Sequence, residues 1–431
     1  MRHAVFPKTM PADPARALAF AGAGDYAKAL LVVVLPPLLL LLRLLTTSDV
    51  FVALFAAAQA ALVGTCVALA ILNMRTQRVS VAELAFVAFV LVLLLCTLLA
   101  LPIYPELRDT PLFGPLLMFF LWGAPVFLIP VLFTTERSLR VLFTTLDALG
   151  VALVVTVVVP ALGVDFGEVQ ASQSSGLRRV FGPYGDSIAP VMAFFLLDAA
   201  ARRSNLRIAL YSAALLVTVS IGGIIVALFA FGALVLRNGG RGLLTPRRLA
   251  GGVLALLLLV PVMLIAGQDV VQRLGNPEVM AFTVAQRFGS FLSAIAVFED
   301  HVWTGVGYTA LKVITFRYRP EDLFAAFSDN AASTASNQYL QTAADAGLLG
   351  LAALAWLFWT SLRALGSASR RAPAGRLTGM WAWAVGMVFA YQGGVWLLPH
   401  SLVPFLFFVA VGMAIAWNRV HGEAGGTTDG R

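Results

Sequence analysis

Apolar residues in this chain come in long unbroken stretches, near positions 29–45, 50–72, 81–104, 111–133, 141–163, 187–201, 249–267, 338–360, 377–396 and 401–417, separated by short polar breaks. A helix of roughly 20 such residues crosses a hydrocarbon core about 30 Å thick, and it satisfies its own backbone hydrogen bonds while doing so. The pattern therefore predicts an all-α, polytopic integral membrane protein. One further stretch, Arg207 to Leu236, would be about 45 Å long as a single helix, more than one crossing uses. Its middle holds Ser220, Gly222 and Gly223. A hinge there turns the stretch into two short crossings and brings the expected total to about 12 transmembrane helices.

The distribution of charge supports that count. With the hinge, the arginines at 75 and 78, 137 and 140, 202, 203 and 207, 237, 241, 247 and 248, and 363, 370, 371 and 376 all fall on one side, with both termini. The positive-inside rule makes that side cytoplasmic. The domain organisation expected is a cytoplasmic segment at 1–28, transmembrane helices 1–9 over 29–267 with a periplasmic loop at 164–186, a large periplasmic loop at 268–337, transmembrane helices 10–12 over 338–417 and a cytoplasmic tail at 418–431. The polar, basic start leads into a first span with Pro36, Pro37 and Arg43 and no small-residue cleavage pattern, which reads as an uncleaved first helix.

Composition sharpens the class. Of 431 residues, 60% are hydrophobic and 12% charged, about half the roughly 25% of an ordinary soluble domain. That excludes a soluble enzyme, a disordered protein and a nucleic-acid binder. The net charge of +8 reflects orientation in the membrane rather than a phosphate-rich partner. Cys66 and Cys96 lie in separate apolar stretches expected near opposite bilayer faces, which argues against a disulfide or a metal site. No internal repeat is evident, which counts against a carrier built from two similar halves.

The two outer loops hold Arg178, Arg179, Arg273, Arg287, Lys312, Arg317 and Arg319, an enrichment that topology does not explain. Three segments there are suited to chemistry. Arg178 and Arg179 precede a Gly182-Pro183-Tyr184-Gly185-Asp186 turn that opens the sixth span, and paired guanidiniums beside a helix N-terminus suit a phosphate. The alternative for Arg178 is contact with lipid headgroups.

In the second segment, Phe288, Phe291, Leu292, Ile295 and Phe298 recur at helical spacing after Arg287, predicting an amphipathic helix whose apolar face rests on the spans. A guanidinium at its start can grip a diphosphate with its fork of donors. His301 ends that helix ahead of Gly305-Val306-Gly307 and reads either as a structural residue or as a base. In the third segment the large loop re-enters the membrane through Ser336, Asn337, Gln338, Tyr339 and Gln341, with Asp345, Gly347 and Gly350 further in. Polar groups there face a cavity or another helix, and Asp345 needs a partner or water.

Together these segments resemble the O-antigen ligase and polymerase superfamily of bacterial membrane glycan transferases. Ser336-Asn337-Gln338-Tyr339-Leu340 with Gly347-Leu348-Leu349-Gly350-Leu351 is similar to the family's His-Asn-x-Tyr-Leu followed by Glu-x-Gly-x-x-Gly-Leu. Arg287 with Trp303-Thr304-Gly305-Val306-Gly307, and Arg179 with Gly182-Pro183-Tyr184-Gly185, follow the same order. Two departures stand out: Ser336 replaces the family histidine, and the hinge reads Ser220-Ile221-Gly222-Gly223 where the family often has Ser-Arg.

The resemblance implies a GT-C-like helical glycosyltransferase of the bacterial inner membrane whose periplasmic site takes an undecaprenyl-diphosphate-linked glycan donor and a glycan or lipid A core acceptor. It implies no cofactor, metal or nucleotide sugar. The expected partners are donor, acceptor, lipid bilayer and a chain-length regulator, with no nucleic acid. Its implied catalytic set is Arg287, Arg179, Ser336, Asn337 and His301, and its substrate-binding set is Arg178, Gly182, Tyr184, Asp186, Tyr339 and Gln338. His301, Asp329, Asp345 and Asp186 stay open as the base. Ser336 favours a polymerase of exopolysaccharide or O-antigen repeats, with an O-antigen ligase as the alternative and a carrier or flippase of lipid-linked sugars as the alternative of another class.

Overall fold

The computed structural model describes residues 23–37, 79–108, 113–161, 185–218, 220–237, 277–314, 317–318, 337–372, 375–391, 395–397 and 402–422, with single positions at 61, 64, 68 and 335. The described residues are helical and hold no strand. In chain order the helices are α1 (Ala23–Ala29, running into a π-helical turn at Leu30–Val34), α2 (Val81–Ala100), α3 (Phe113–Gly123), α4 (Pro125–Leu132), α5 (Glu136–Ala161), α6 (Gly185–Ala201), α7 (Asn205–Val217), α8 (Ile221–Arg237), α9 (Pro277–Asp300), α10 (Leu311–Ile314), α11 (Gln338–Arg371), α12 (Arg376–Ala390) and α13 (Leu402–Gly422).

Among the described residues, five helices or joined helix pairs are long and apolar enough to cross a membrane: α2, α3 with α4, α5, α11 and α13. The apolar stretches at 50–72, apart from single positions at 61, 64 and 68, and at 249–267 lie outside the described residues, so the total of 12 is not tested by these helices. Where stretches are described, the expected breaks hold. Ser80 starts α2 with a capping box, its hydroxyl accepting from the Glu83 N–H while Glu83 accepts from the Ser80 N–H. Pro125 opens α4 and divides the span Phe113–Leu132, at a first-turn position where its missing N–H has no intrahelical partner to lose.

The long stretch from Arg207 breaks as its glycines suggest. α7 ends at Val217 and α8 begins at Ile221, and Ser220 caps the new start by accepting from the Gly223 N–H at 3.4 Å. The break lies at the end of the molecule opposite Arg207 and Arg237. A Cβ on Gly222 would meet Tyr391, after the end of α12, and one on Gly223 would meet Ala189, near the start of α6. The two helices are about 20 and 25 Å long, so they form a short hairpin rather than one tilted rod.

α13 is the centre of the bundle. Nearly every residue from Leu402 to Trp417 is buried, as expected of a helix apolar on all sides. It packs along α4 and α11, while α6, α8 and α12 form a second packed group and α2 lies against α11. The aromatic residues Phe86, Phe119 and Phe407 each meet Phe408 edge to face, with Phe86 and Phe119 tilted against each other, which locks α2, α3 and α13 together.

One end of the bundle collects the arginines. Arg202 makes a bidentate pair with Asp147 at 2.8 and 2.7 Å and also binds Asp198, while Arg207 reaches Asp147 at 2.7 Å. Arg237 donates to the Gly366 carbonyl at 3.0 Å and lies over the Trp381 ring, and Arg419 pairs with Glu83 at 2.7 Å. These contacts bring the start of α2, the first turns of α5, the α6–α7 turn, the end of α8, the end of α11 and the end of α13 together at the basic end. The re-entry of α11 and the turn after α9 lie at the opposite end.

Candidate functional site

α11 starts at that opposite end, and its first turns explain the polar cluster in the sequence. Asn337 adopts an extended backbone (φ −150°, ψ 132°) and its side-chain oxygen accepts from the Tyr339 and Leu340 N–H groups at 2.9 and 3.1 Å, which makes it the N-cap. Gln338 reaches inward: its amide oxygen accepts from the Leu397 N–H at 2.9 Å and its amide nitrogen donates to Thr342. Tyr339 donates its hydroxyl proton to the Val388 carbonyl on α12. Gln341 accepts from the Ala335 N–H at 2.8 Å and donates to Asp345 at 2.9 Å, and the Thr309 N–H also donates to Asp345.

The polar side chains expected to face a cavity do so. Gln338, Gln341, Thr342 and Asp345 line a small pocket, with room for about one water molecule, whose other walls are Phe89, Leu93, Phe119, Tyr308, Val395 and Leu397. Tyr308 donates to the Leu397 carbonyl at 3.2 Å across it. Asp345, 1% exposed, thus has the partners that a carboxyl group at membrane depth requires.

Further along, α11 is broken. Gly347 has φ 61° and ψ −153°, which interrupts the helical ladder, and the turn Val302–Gly307 fills the gap. The Val306 and Gly307 N–H groups donate to the Ala344 and Asp345 carbonyls at 2.9 and 2.8 Å. In return the Leu348 and Leu349 N–H groups donate to the Val302 and Trp303 carbonyls at 2.7 and 3.3 Å. A break inside a membrane is tolerated when protein satisfies the freed groups, and here four of them are satisfied by one turn. Glycine is required on both sides of the contact. Gly305 (φ 58°) and Gly347 (φ 61°) both occupy the left-handed region, and a Cβ on either would stand 2.4 Å from the other segment's backbone. The second and third segments singled out in the sequence therefore form one interlocked unit, a pairing the sequence did not show.

Thr309, two residues beyond this contact, also has a left-handed backbone (φ 60°). For a β-branched residue that costs on the order of 1–3 kcal/mol unless its surroundings impose it. Its N–H bond to Asp345 is one such constraint.

α9 confirms the amphipathic helix after Arg287 but reverses its expected orientation. The buried side is the narrow row Gly289, Ser290, Ser293, Ala294 and Val297, whereas Phe288 is 58% exposed and Ile295 is also exposed. A helix pressed closely against α11 needs small side chains at the contact, so the bulky residues turn away from it. Arg287 lies on the edge of that outward face and is exposed; among the described residues no carboxylate pairs with it.

Arg287 and His301 do not share a position. Fourteen residues of continuous helix separate them, about 20 Å along the axis. His301 lies in the turn after α9 and hydrogen-bonds through Nε2 to the Tyr104 hydroxyl, which also meets the Tyr318 hydroxyl at 3.2 Å. Burial and the bond to Tyr104 push the Tyr318 phenol well above its ordinary pKa, with Asp300 adding to the shift. Arg317 pairs with Glu106 and lies 5.5 Å from the Tyr104 ring centre. Tyr104 was not legible as a partner, because it is the last residue of an apolar stretch with no motif around it. This cluster and Ala335 share one small apolar core that includes Val297, Val306 and Leu340.

The remaining predicted residues are placed as follows. Arg178, Arg179, Gly182, Tyr184, Ser336 and Asp329 lie outside the described residues, as does Cys66; Asp186 falls in the first turn of α6. Cys96 is buried, with its sulfur 3.8 Å from the Ala346 carbonyl at the α11 break. Among the described residues no group of three or more His, Cys, Asp and Glu side chains is arranged to hold a metal ion.

Fold and site together define an all-helical membrane protein with a broken, polar-lined helix at its less basic end. Residues 206–355 match the family model described as O-antigen ligase, about a third of the chain. The match supports the O-antigen ligase and polymerase superfamily, whose members are glycosyltransferase-like enzymes, and with it a membrane function of the ligase or polymerase type. It spans the α7–α8 hairpin, Arg287, the turn after α9 and the break in α11; the Arg178–Asp186 segment precedes it. No curated protein matches the chain.

Proposed function

We propose that this protein is a polymerase of the inner membrane that joins undecaprenyl-diphosphate-linked oligosaccharide repeats into exopolysaccharide or O-antigen, with the active site on the periplasmic side. The observation that carries the reading is the family match over 206–355 together with an exposed Arg287 inside it. The basic end, with Arg202, Arg207, Arg237 and Arg376, then faces the cytoplasm. Arg287 and Arg179 neutralise the diphosphate of the donor. As the glycosidic carbon–oxygen bond to the diphosphate breaks, negative charge grows on the leaving phosphate oxygen, and a fixed guanidinium stabilises it without rearrangement. The acceptor hydroxyl attacks that carbon and loses its proton.

The outward apolar face of α9 suits a polyprenyl chain lying beside Arg287. Arg287→Gln should leave the protein inserted and folded while stopping polymer growth in cells lacking the native copy. Normal polymer length in that strain ends the proposal. The matched family's description favours one second reading, transfer of finished polymer to lipid A core by a ligase. Loss of a polymerase leaves single repeats on the acceptor, whereas loss of a ligase leaves polymer on its lipid carrier.

A further inference from the structure

We propose that Asp345 and Gln341 are positioning residues that fix the Ala335 backbone amide, just ahead of α11, for the transfer reaction; this rests on the reading above. Four groups form one buried chain. The Ala335 N–H donates to the Gln341 side-chain oxygen at 2.8 Å, the Gln341 amide nitrogen donates to Asp345 Oδ1 at 2.9 Å, and the Thr309 N–H donates to the same carboxyl group. Ala335, Gln341 and Asp345 are all buried.

The direction of the chain matters. Gln341 can present either its oxygen or its nitrogen to Ala335, and the carboxyl group decides which. By accepting from the nitrogen, Asp345 leaves the oxygen facing Ala335. It is in turn held against the turn after α9, whose left-handed Thr309 points its N–H at the carboxyl group. The Ala335 amide is thereby tied, through Gln341 and Asp345, to α11 beside the interlocked Gly305–Gly347 contact.

Packing does not call for such a chain. Phe89, Leu93, Phe119 and Leu397 surround the same cavity, and an aliphatic pair at 341 and 345 would fill it without burying a carboxyl group at membrane depth. What an aliphatic pair cannot do is hold one backbone amide at a set position. Asn337, two residues on, caps α11 with its own side-chain-to-backbone bond.

The test uses full-length protein in detergent, with Asp345→Ala, Asp345→Asn and Gln341→Leu. Thr342→Val, which alters the same cavity without touching the chain, serves as the control. Hydrogen exchange of a peptide spanning 335–341 is read first. Asp345→Ala and Gln341→Leu should exchange about tenfold faster or more there, with α13 unchanged, while Asp345→Asn and Thr342→Val stay within about threefold of wild type. Lengthening of a lipid-linked glycan isolated from the native cells is read second. The two disruptive variants should lose about 10–100-fold in turnover with donor KM little changed, and Asp345→Asn should restore it.

Unchanged exchange at 335–341 overturns the proposal, as does faster exchange with full turnover. If wild-type protein lengthens no glycan, the proposed function fails, and the exchange result alone then decides whether Asp345 and Gln341 hold the segment. Should Asp345→Ala not fold, Gln341→Leu carries the same comparison.

Discussion

At the basic end, three helices, α5, α6 and α7, are tied by guanidinium–carboxylate pairs centred on Asp147 and Arg202, whereas at the opposite end α11 is tied to the turn after α9 by four backbone hydrogen bonds and two glycines. The first tie depends on side chains and so is expected to tolerate replacement as a set. The second depends on the path of the main chain and tolerates no Cβ. The difference also separates charges. The arginines of the basic end are largely spent on structure, while Arg287 is left exposed at the other.

Four substitutions sharpen the contrast, in order of expected effect on stability. Gly347→Ala places a methyl group 2.4 Å from the Trp303 backbone in a left-handed conformation, so a loss of about 4 kcal/mol or more is expected. Thermal unfolding in detergent would show it, and Gly305→Ala should match it without adding to it, because both destroy one contact. An alanine tolerated at both sites would mean that the interlock is not held as described.

Arg202→Ala strands the buried Asp198 carboxylate and leaves Asp147 with Arg207 as its remaining close guanidinium, and should cost about 3 kcal/mol. The triple replacement Asp147→Leu, Arg202→Met, Asp198→Leu should recover most of that loss by the same unfolding measurement. A triple variant less stable than Arg202→Ala would show the charges to be needed for more than each other. Asn337→Ala removes the cap of α11 and should cost about 1 kcal/mol, while Asn337→Asp keeps the acceptor and should cost little. Helix protection by hydrogen exchange near 339–341 reads both. Last, Arg287→Gln should move stability by no more than about 0.5 kcal/mol while abolishing polymer formation. A large drop in melting temperature would reassign Arg287 to structure.

Much of the fold was legible because the membrane imposes simple rules. Long apolar stretches gave the described spans, and the excess length of Arg207–Leu236 with its glycines gave the hairpin. What failed was the orientation of α9. Counting Phe288, Phe291 and Ile295 at helical spacing as the packed side assumes water outside, but beside lipid the bulky side can face outward and the small residues make the close contact.

At the site, the polar start of α11 and the need of Asp345 for partners were readable from residue type and depth. The pairing of Gly305 with Gly347 was not, because a glycine motif reports a special backbone and not its partner. The acids Asp147 and Asp198 carried a usable signal that was passed over: each is a lone carboxylate in an apolar stretch, and such a residue implies a nearby guanidinium.

The bend at Gly347 also bears on how the protein is made. Unbent, the 34 residues of α11 would form a rod of about 51 Å, far longer than the bilayer is thick. The turn that receives its freed amides lies some 40 residues earlier in the chain, so it is synthesised first, and α11 can take its bend only once it meets that turn.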